Sequence, residues 1–376
     1  MNQPCTMQRP AHGGNLEWAA GVARCQPQEI LDFSASINPL GPPESAIAAL
    51  QAAIPSLRHY PDPSYRRLRQ ALADHHQLSA EWILPGNGAA DLLTWAGRDL
   101  ATLDCVYLCT PAFGDYRRAL AAFGSRVQPW PLAWSRSGAL QGEAFAVPVA
   151  ATDPIEAWVQ SWPPQAGCLL NDPHNPTGQR LDPRFLQACL NHFEQVVIDE
   201  AFLDFLPPAD QHSAIDRIVD YPNLTVIRSL TKFYSLPGLR LGYAVAHPDH
   251  LRRWQQWRDP WAVNSLAISV GAAVMTDGAF QQRTWDWLPP ARWQLFRSLQ
   301  QIPVLSPIPS VSNFLLVECQ ASVSQLQFWL LQEARILVRD CLSFPELGDG
   351  YFRVAVLQAA QQQQLQTALS ARLGLH

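Results

Sequence analysis

Between about residues 45 and 285 the chain repeats one pattern: a short, nearly uncharged run of β-branched and aromatic residues, then an amphipathic stretch. The runs are CVYLCTP (105–111), GCLLNDP (167–173), QVVIDEAF (195–202), LTVIRSL (224–230) and GYAVA (242–246). A strand that faces water on one side alternates polar with apolar residues. These runs do not alternate, so they predict strands buried on both faces, as in a parallel sheet covered by helices. Helix-like segments such as DYRRALAAFG and PRFLQACLNHFE stand between them, which predicts an α/β layered domain. From about residue 300, SNFLLVE and YFRVAV read as strands of a smaller α+β domain. The expected organisation is an N-terminal arm joined to the small domain (1–45), a large domain (46–285) and a C-terminal small domain (286–376).

Ligands of such sheets collect beyond the C-terminal strand ends. Three successive ends carry polar, reactive residue types: NDPHNPTG (171–178), Asp199-Glu200, and Thr231-Lys232. Lys232 is also the chain's single lysine among 27 lysines and arginines. An unprotonated amine can condense with an aldehyde, whereas a guanidinium stays protonated and cannot. Chance retention of one surface lysine is the plain alternative, and its place at a strand end argues against it.

Pyridoxal 5'-phosphate is the aldehyde cofactor such a lysine suits. It requires a carboxylate for its ring nitrogen, donors for its phosphate and an aromatic face. Asp199 is placed for the nitrogen. Ser229, Arg240 and the backbone of PGNGAAD (85–91), including Gly88 and Ala89, are placed for the phosphate, because a glycine-rich turn opening a helix suits an anion. Asn175 can hydrogen-bond the ring hydroxyl, and Phe113 can stack on the ring.

The segments NDPHNPTG, VVIDEAF and SLTKFYSLPGLRLGY resemble the signatures of fold type I pyridoxal-phosphate enzymes in the aminotransferase class I/II group. The resemblance implies an aspartate aminotransferase-like α/β fold with a mainly parallel mixed sheet. It also implies Lys232 as the Schiff-base lysine and a homodimer with the active site between subunits. Tyr60, in RHYPDPSY, is similar to the tyrosine that reaches the neighbour's cofactor phosphate. Within the group, two subfamilies acting on phosphorylated amines compete: histidinol-phosphate aminotransferases and the threonine-phosphate decarboxylases of cobalamin synthesis. Aminotransferases usually read D-E-A-Y, and here Phe202 takes the tyrosine's place. HGGN (12–15), LDFSASINPLG (31–41), ILVRDC (336–341) and YFRVAV (351–356) are similar to the decarboxylases. That likeness implies Arg353 on the substrate carboxylate, with Arg339 and His12 as candidates for the substrate phosphate. Asn38 is a further substrate-binding candidate.

His174 is expected to hold position only, and His75 and His76 to be solvated. The eight cysteines form no C-x-x-C pair, which favours free thiols over disulfides or zinc. A net charge of −5 argues against nucleic acid as a partner. No apolar run approaches the ~20 residues of a membrane-spanning helix. The first residues lack the apolar core of a signal peptide, so a cytosolic location is expected.

Overall fold

The computed structural model describes residues 9–134, 145–148 and 155–374. Its largest feature among those residues is a nine-stranded mixed sheet. Across the sheet the order is Ile83–Gly86, Gly242–Ala246, Leu224–Ser229, Gln195–Asp199, Gly167–Asn171, Val106–Thr110, Val127–Trp134, Phe145–Pro148 and Arg180–Leu181. From Leu224–Ser229 to Val127–Trp134 every pairing is parallel. Gly242–Ala246 runs antiparallel to both its neighbours. The run GYAVA marked a doubly buried strand but could not reveal its direction, because an uninterrupted apolar run looks the same either way.

Both faces of the sheet are covered, and alternation along the strands shows it. Leu84, Leu108, Leu169, Val197, Ile227 and Ala244 join one core. Ile83, Cys109, Leu170, Ile198, Val226 and Tyr243 join the other. Helices Ala89–Leu100 and Gly114–Ala121 pack together in the first core.

The C-terminal region forms a four-stranded antiparallel sheet, ordered Leu305–Pro307, Phe314–Cys319, Tyr351–Ala355 and Arg339–Asp340. The N-terminal segment belongs with it. Leu31–Asp32 pairs in parallel with Ile336–Leu337, and helix Leu16–Ala23 lies against helix Val323–Ala334. Helix Gly278–Gln300 runs unbroken through positions 285 and 286, with Pro289 and Pro290 inside it. The large unit therefore passes into the small one along a helix, with no loop at the expected boundary.

Asn38 fastens the N-terminal segment to the large unit. Its amide donates to the carbonyl of Phe233 (2.8 Å) and to Thr284 Oγ1 (2.9 Å), while its Oδ1 accepts from the Leu40 amide (3.1 Å). Its backbone N–H bonds the carbonyl of Lys232 at 3.1 Å. The side chain thus has its partners inside the protein and lies outside the cavity lining, a correction to its place among the substrate-binding candidates. Asn38→Ala would leave buried polar groups unpaired, at a cost of about 1–3 kcal/mol. A lower urea midpoint with an unchanged m-value is the expected result.

Candidate active site

The strand ends open into a cavity of about 320 Å³ between the large sheet, the N-terminal segment and the small sheet. Register explains the convergence. Asn171 pairs with Asp199 across adjacent parallel strands, and Ser229 pairs with Gly242, which also faces Gly86. Lys232, Asp199, Asn175, Ser229, Arg240, Ala89, Phe113, His12, Arg339 and Arg353 all line this one space.

Asp199 is 4% exposed. Its Oδ1 accepts the Ala201 amide (2.8 Å) and its Oδ2 the Tyr116 hydroxyl (2.9 Å). Burial pushes its carboxyl up to about 6, against those donors and the Lys232 charge. Tyr116 belongs to no signature motif in the sequence, and the structure gives it this carboxylate as partner. Its spacing three residues after Phe113, on one face of a helix start, was the available signal. Burial, then the positive charges of Arg240 and Arg353, lowers the Lys232 amine to about 8. Such a lysine has far more free amine near neutrality than an ordinary one.

Asn175 has a settled orientation. Arg353 Nη1 donates to its Oδ1 at 2.6 Å, and a guanidinium can only donate. The amide oxygen therefore faces Arg353, which leaves the NH2 as the group available to a ligand. Arg353 also lies over the ring of Phe314, 4.8 Å from its centroid. Burial first, and then Arg339, brings its guanidinium down to about 10. Phe202 meets Phe314 edge-on at 5.0 Å, so an apolar contact stands where the aminotransferase pattern has a hydroxyl.

At the other end, Ser229 Oγ and Thr231 Oγ1 lie 2.8 Å apart. Helix Ala89–Leu100 starts beside them, and Ala89 and Ala90 line the cavity. Gly88 plays a different part from the one expected of its backbone. Its N–H goes to the Gly86 carbonyl at 2.8 Å. What Gly88 supplies is shape: φ is +79°, and a Cβ there would sit 2.5 Å from Arg240 Nη2. At Gly242 a Cβ would meet the Ala89 nitrogen at 2.8 Å, so the helix start can approach the sheet only at a glycine.

His12 rests on Phe113, with ring centroids 5.5 Å apart. Burial and then the Arg339 charge hold its imidazole below its ordinary value. Phe113 in turn meets Tyr116 edge-on. Arg339 donates to the Ala11 carbonyl and to Ser343 Oγ. Behind it, Asp340 takes a salt bridge from Arg9 at 2.7 Å. The arm residues are thereby tied to the small sheet.

Tyr60 lies elsewhere. It is 80% exposed and packs on Trp261, 4.7 Å between centroids. His174 is buried away from the cavity lining. Its Nε2 faces the Pro111 carbonyl (3.0 Å), so that nitrogen carries the proton, and Nδ1 accepts from Thr177. His76 corrects the expectation of a solvated ring: Nε2 lies 2.8 Å from the Tyr243 hydroxyl, and burial lowers its pKa to about 2. Cys25, Cys105, Cys109, Cys168, Cys189, Cys319 and Cys341 are all free, and Cys5 lies outside the described residues. Among the described residues no helix is long and apolar enough to cross a membrane, and no cluster of His, Cys, Asp and Glu could hold a metal ion.

The fold and the lysine-centred cavity go with a family match that runs from residue 28 to residue 371. The chain belongs to the aminotransferase class I and II family. Within it, the chain is 40% identical to a threonine-phosphate decarboxylase of Salmonella typhimurium, over 96% of this chain and 95% of the relative. It is 32% identical to a histidinol-phosphate aminotransferase of Symbiobacterium thermophilum, over 92% and 91% of the two chains. The crystal structure of L-threonine-O-3-phosphate decarboxylase from Porphyromonas gingivalis has the same fold. It matches with a TM-score of 0.78 at 24% identity, covering 91% of this chain and 99% of that one.

Proposed function

We infer that the protein is a pyridoxal-phosphate-dependent decarboxylase of L-threonine O-3-phosphate, yielding (R)-1-aminopropan-2-yl phosphate for cobalamin synthesis. The observation that carries the reading is the anion-binding set around Lys232. A guanidinium, Arg353, stands beside the cofactor-facing Asn175, and a second, Arg339, stands with His12 on the arm side. An amino acid bearing both a carboxylate and a phosphate matches two such subsites. The 40% identity to the Salmonella decarboxylase supports the same choice over the aminotransferase.

The cavity's own residues fit the cofactor. The helix start at Ala89, the hydroxyls of Ser229 and Thr231 and the Arg240 guanidinium offer phosphate donors, and Gly88 leaves room that a Cβ would fill. Asp199 would hold the ring nitrogen, Asn175 Nδ2 the ring hydroxyl and Phe113 the ring face. Pyridoxal phosphate, when bound, supplies an aldehyde for the amine and a protonated ring that accepts electrons released at Cα.

The residues then divide the work. Asp199 would keep a proton on the ring nitrogen of the bound cofactor. Arg353 binds the carboxylate, while Arg339 and His12 bind the phosphate. Holding both ends would fix the rotation about the substrate's N–Cα bond and so select the Cα–carboxylate bond for cleavage. Its electron pair stays with Cα as CO2 leaves. Lys232 Nζ, free at that stage, delivers the proton that forms the new Cα–H bond. The exposed Ile47, Ile54, Leu57, Tyr60 and Trp261 are apolar side chains suited to a face between two copies, with Tyr60 reaching the neighbour's cofactor phosphate.

The deciding experiment incubates holoenzyme with threonine phosphate and analyses the products. Carbon dioxide and aminopropanol phosphate without a keto acid are expected. A keto product from histidinol phosphate and 2-oxoglutarate, with no carbon dioxide from threonine phosphate, would overturn the reading. The Lys232 pKa of about 8 gives a second check. Only the free amine attacks an aldehyde, so the initial rate of borohydride-trapped cofactor labelling should rise about tenfold per unit below pH 8 and level off above it.

A further inference from the structure

Successive residues of a strand face opposite sides of a sheet, so Ser229 and Arg228 serve different spaces. Ser229 lines the lysine cavity. Arg228 lines a second cavity, also of about 320 Å³. The two spaces share no lining residue, although Phe233 in the second directly follows Lys232 in the first. The proposed reaction makes no use of the second one.

The charges around it do not cancel. The Arg228 guanidinium is 2% exposed and pairs with both Glu200 (2.9 Å) and Asp204 Oδ1 (2.6 Å), while its Nη2 donates to Ser213 Oγ (3.1 Å). One cation thus serves two carboxylates, and Asp216 adds a further carboxylate to the cavity wall. Burial holds the imidazoles of His75 and His76 below their ordinary value, so neither supplies a positive charge near neutrality. The surplus negative charge favours a cation in this space.

Two groups on the wall are left over once the protein's own hydrogen bonds are made. Asp204 Oδ2 takes no hydrogen bond among the described residues, and its side chain is 17% exposed. Tyr234 is 3% exposed, and its hydroxyl oxygen accepts from Gln281 Nε2 at 3.0 Å. The phenol's own proton has no acceptor among the described residues. Burial pushes the Tyr234 pKa well up, so the group stays a neutral donor. Phe233 and Trp285 supply apolar wall, and the Trp285 N–H is already taken by the Asp204 carbonyl (2.9 Å). A free carboxylate oxygen calls for a charged N–H donor, and a phenol proton calls for a neutral oxygen. A short amino alcohol carries both. Its phosphate ester would meet the surplus carboxylates, so the unphosphorylated form is the one that fits.

We propose that this cavity is a second ligand site, for a small amino alcohol whose ammonium meets Asp204 and whose hydroxyl accepts from Tyr234. Neither the site nor its test depends on which substrate the lysine cavity takes.

The test uses three probes: 1-amino-2-propanol, propylamine, which lacks the hydroxyl, and 1,2-propanediol, which lacks the amine. Holoenzyme is first reduced with borohydride, so that no aldehyde remains to capture an amine, and affinities are measured by calorimetry. The amino alcohol should bind about tenfold more tightly than either of the others. Asp204→Asn, which keeps an oxygen for Arg228, should erase its margin over propanediol. Tyr234→Phe should erase its margin over propylamine and leave the other margin in place. If the asparagine variant folds badly, the tyrosine variant and the three probes on the parent protein still decide. Equal affinities for all three probes, or no binding at about 100 mM, would overturn the proposal. So would unchanged margins in both variants, which would place the amino alcohol in the lysine cavity instead.

Discussion

Lys232→Ala is expected to lower decarboxylation by at least about 10⁴-fold, because on the proposed assignment one substitution removes both the amine that would capture the cofactor and the proton donor to Cα. The loss should be accompanied by a gain in stability of the cofactor-free protein. The folded amine titrates near 8, against an ordinary value of 10.5. Between those values the folded chain binds fewer protons than the unfolded one, so this lysine opposes folding most fully below pH 8, and less as pH climbs toward 10.5. The alanine variant should therefore melt higher than the parent at pH 7, with the advantage shrinking above pH 8. Calorimetric melting of both apo-proteins from pH 7 to 10 measures it. A variant that melts lower at pH 7 would show that the side chain's packing outweighs its desolvation.

Arg353→Lys is the second large effect. The substitution keeps a positive charge but gives up the planar fork. An ammonium cannot hold Asn175 Oδ1 and the Ser34 carbonyl and still present two donors to a carboxylate, so the Asn175 amide and the proposed anchor for the substrate would both loosen. On the proposed assignment kcat/KM for threonine phosphate should fall about 10²- to 10³-fold. A further loss of orientation should appear in the products, with more keto acid per carbon dioxide. The affinity of borohydride-reduced enzyme for aminopropanol phosphate, which lacks the carboxylate, should change far less. Equal losses for both ligands would place Arg353 on the phosphate instead.

What could be read from sequence was mostly what strand geometry dictates. Asp199 sits at the end of a doubly buried run, Asn175 in the turn after another and Lys232 just past a third, and parallel register carries such residues to one edge. The direction of Gly242–Ala246 escaped because its composition does not encode it. What escaped were partners that come from far along the chain or from the local turn itself. Asn38 lies in a segment whose partners, Phe233 and Thr284, are some 200 residues away in sequence, so no local pattern could orient its side chain. Gly88 was marked as a backbone donor because glycine turns often serve that way, yet its amide closes its own turn. His76 sat in a polar stretch, but Tyr243 on a distant strand draws it inward.

The bond between Arg353 and Asn175 has an optical corollary. One guanidinium braces the Asn175 amide, and on the proposed assignment that amide serves the cofactor's ring hydroxyl while the same guanidinium takes the substrate carboxylate. When that anion draws the guanidinium toward itself, the brace slackens and the charge felt at the ring oxygen changes. The enzyme would then be its own indicator dye: an amine-free carboxylate ligand that never touches the chromophore should still shift its colour, and an amine-free phosphate ligand without a carboxylate should leave the hue as it was.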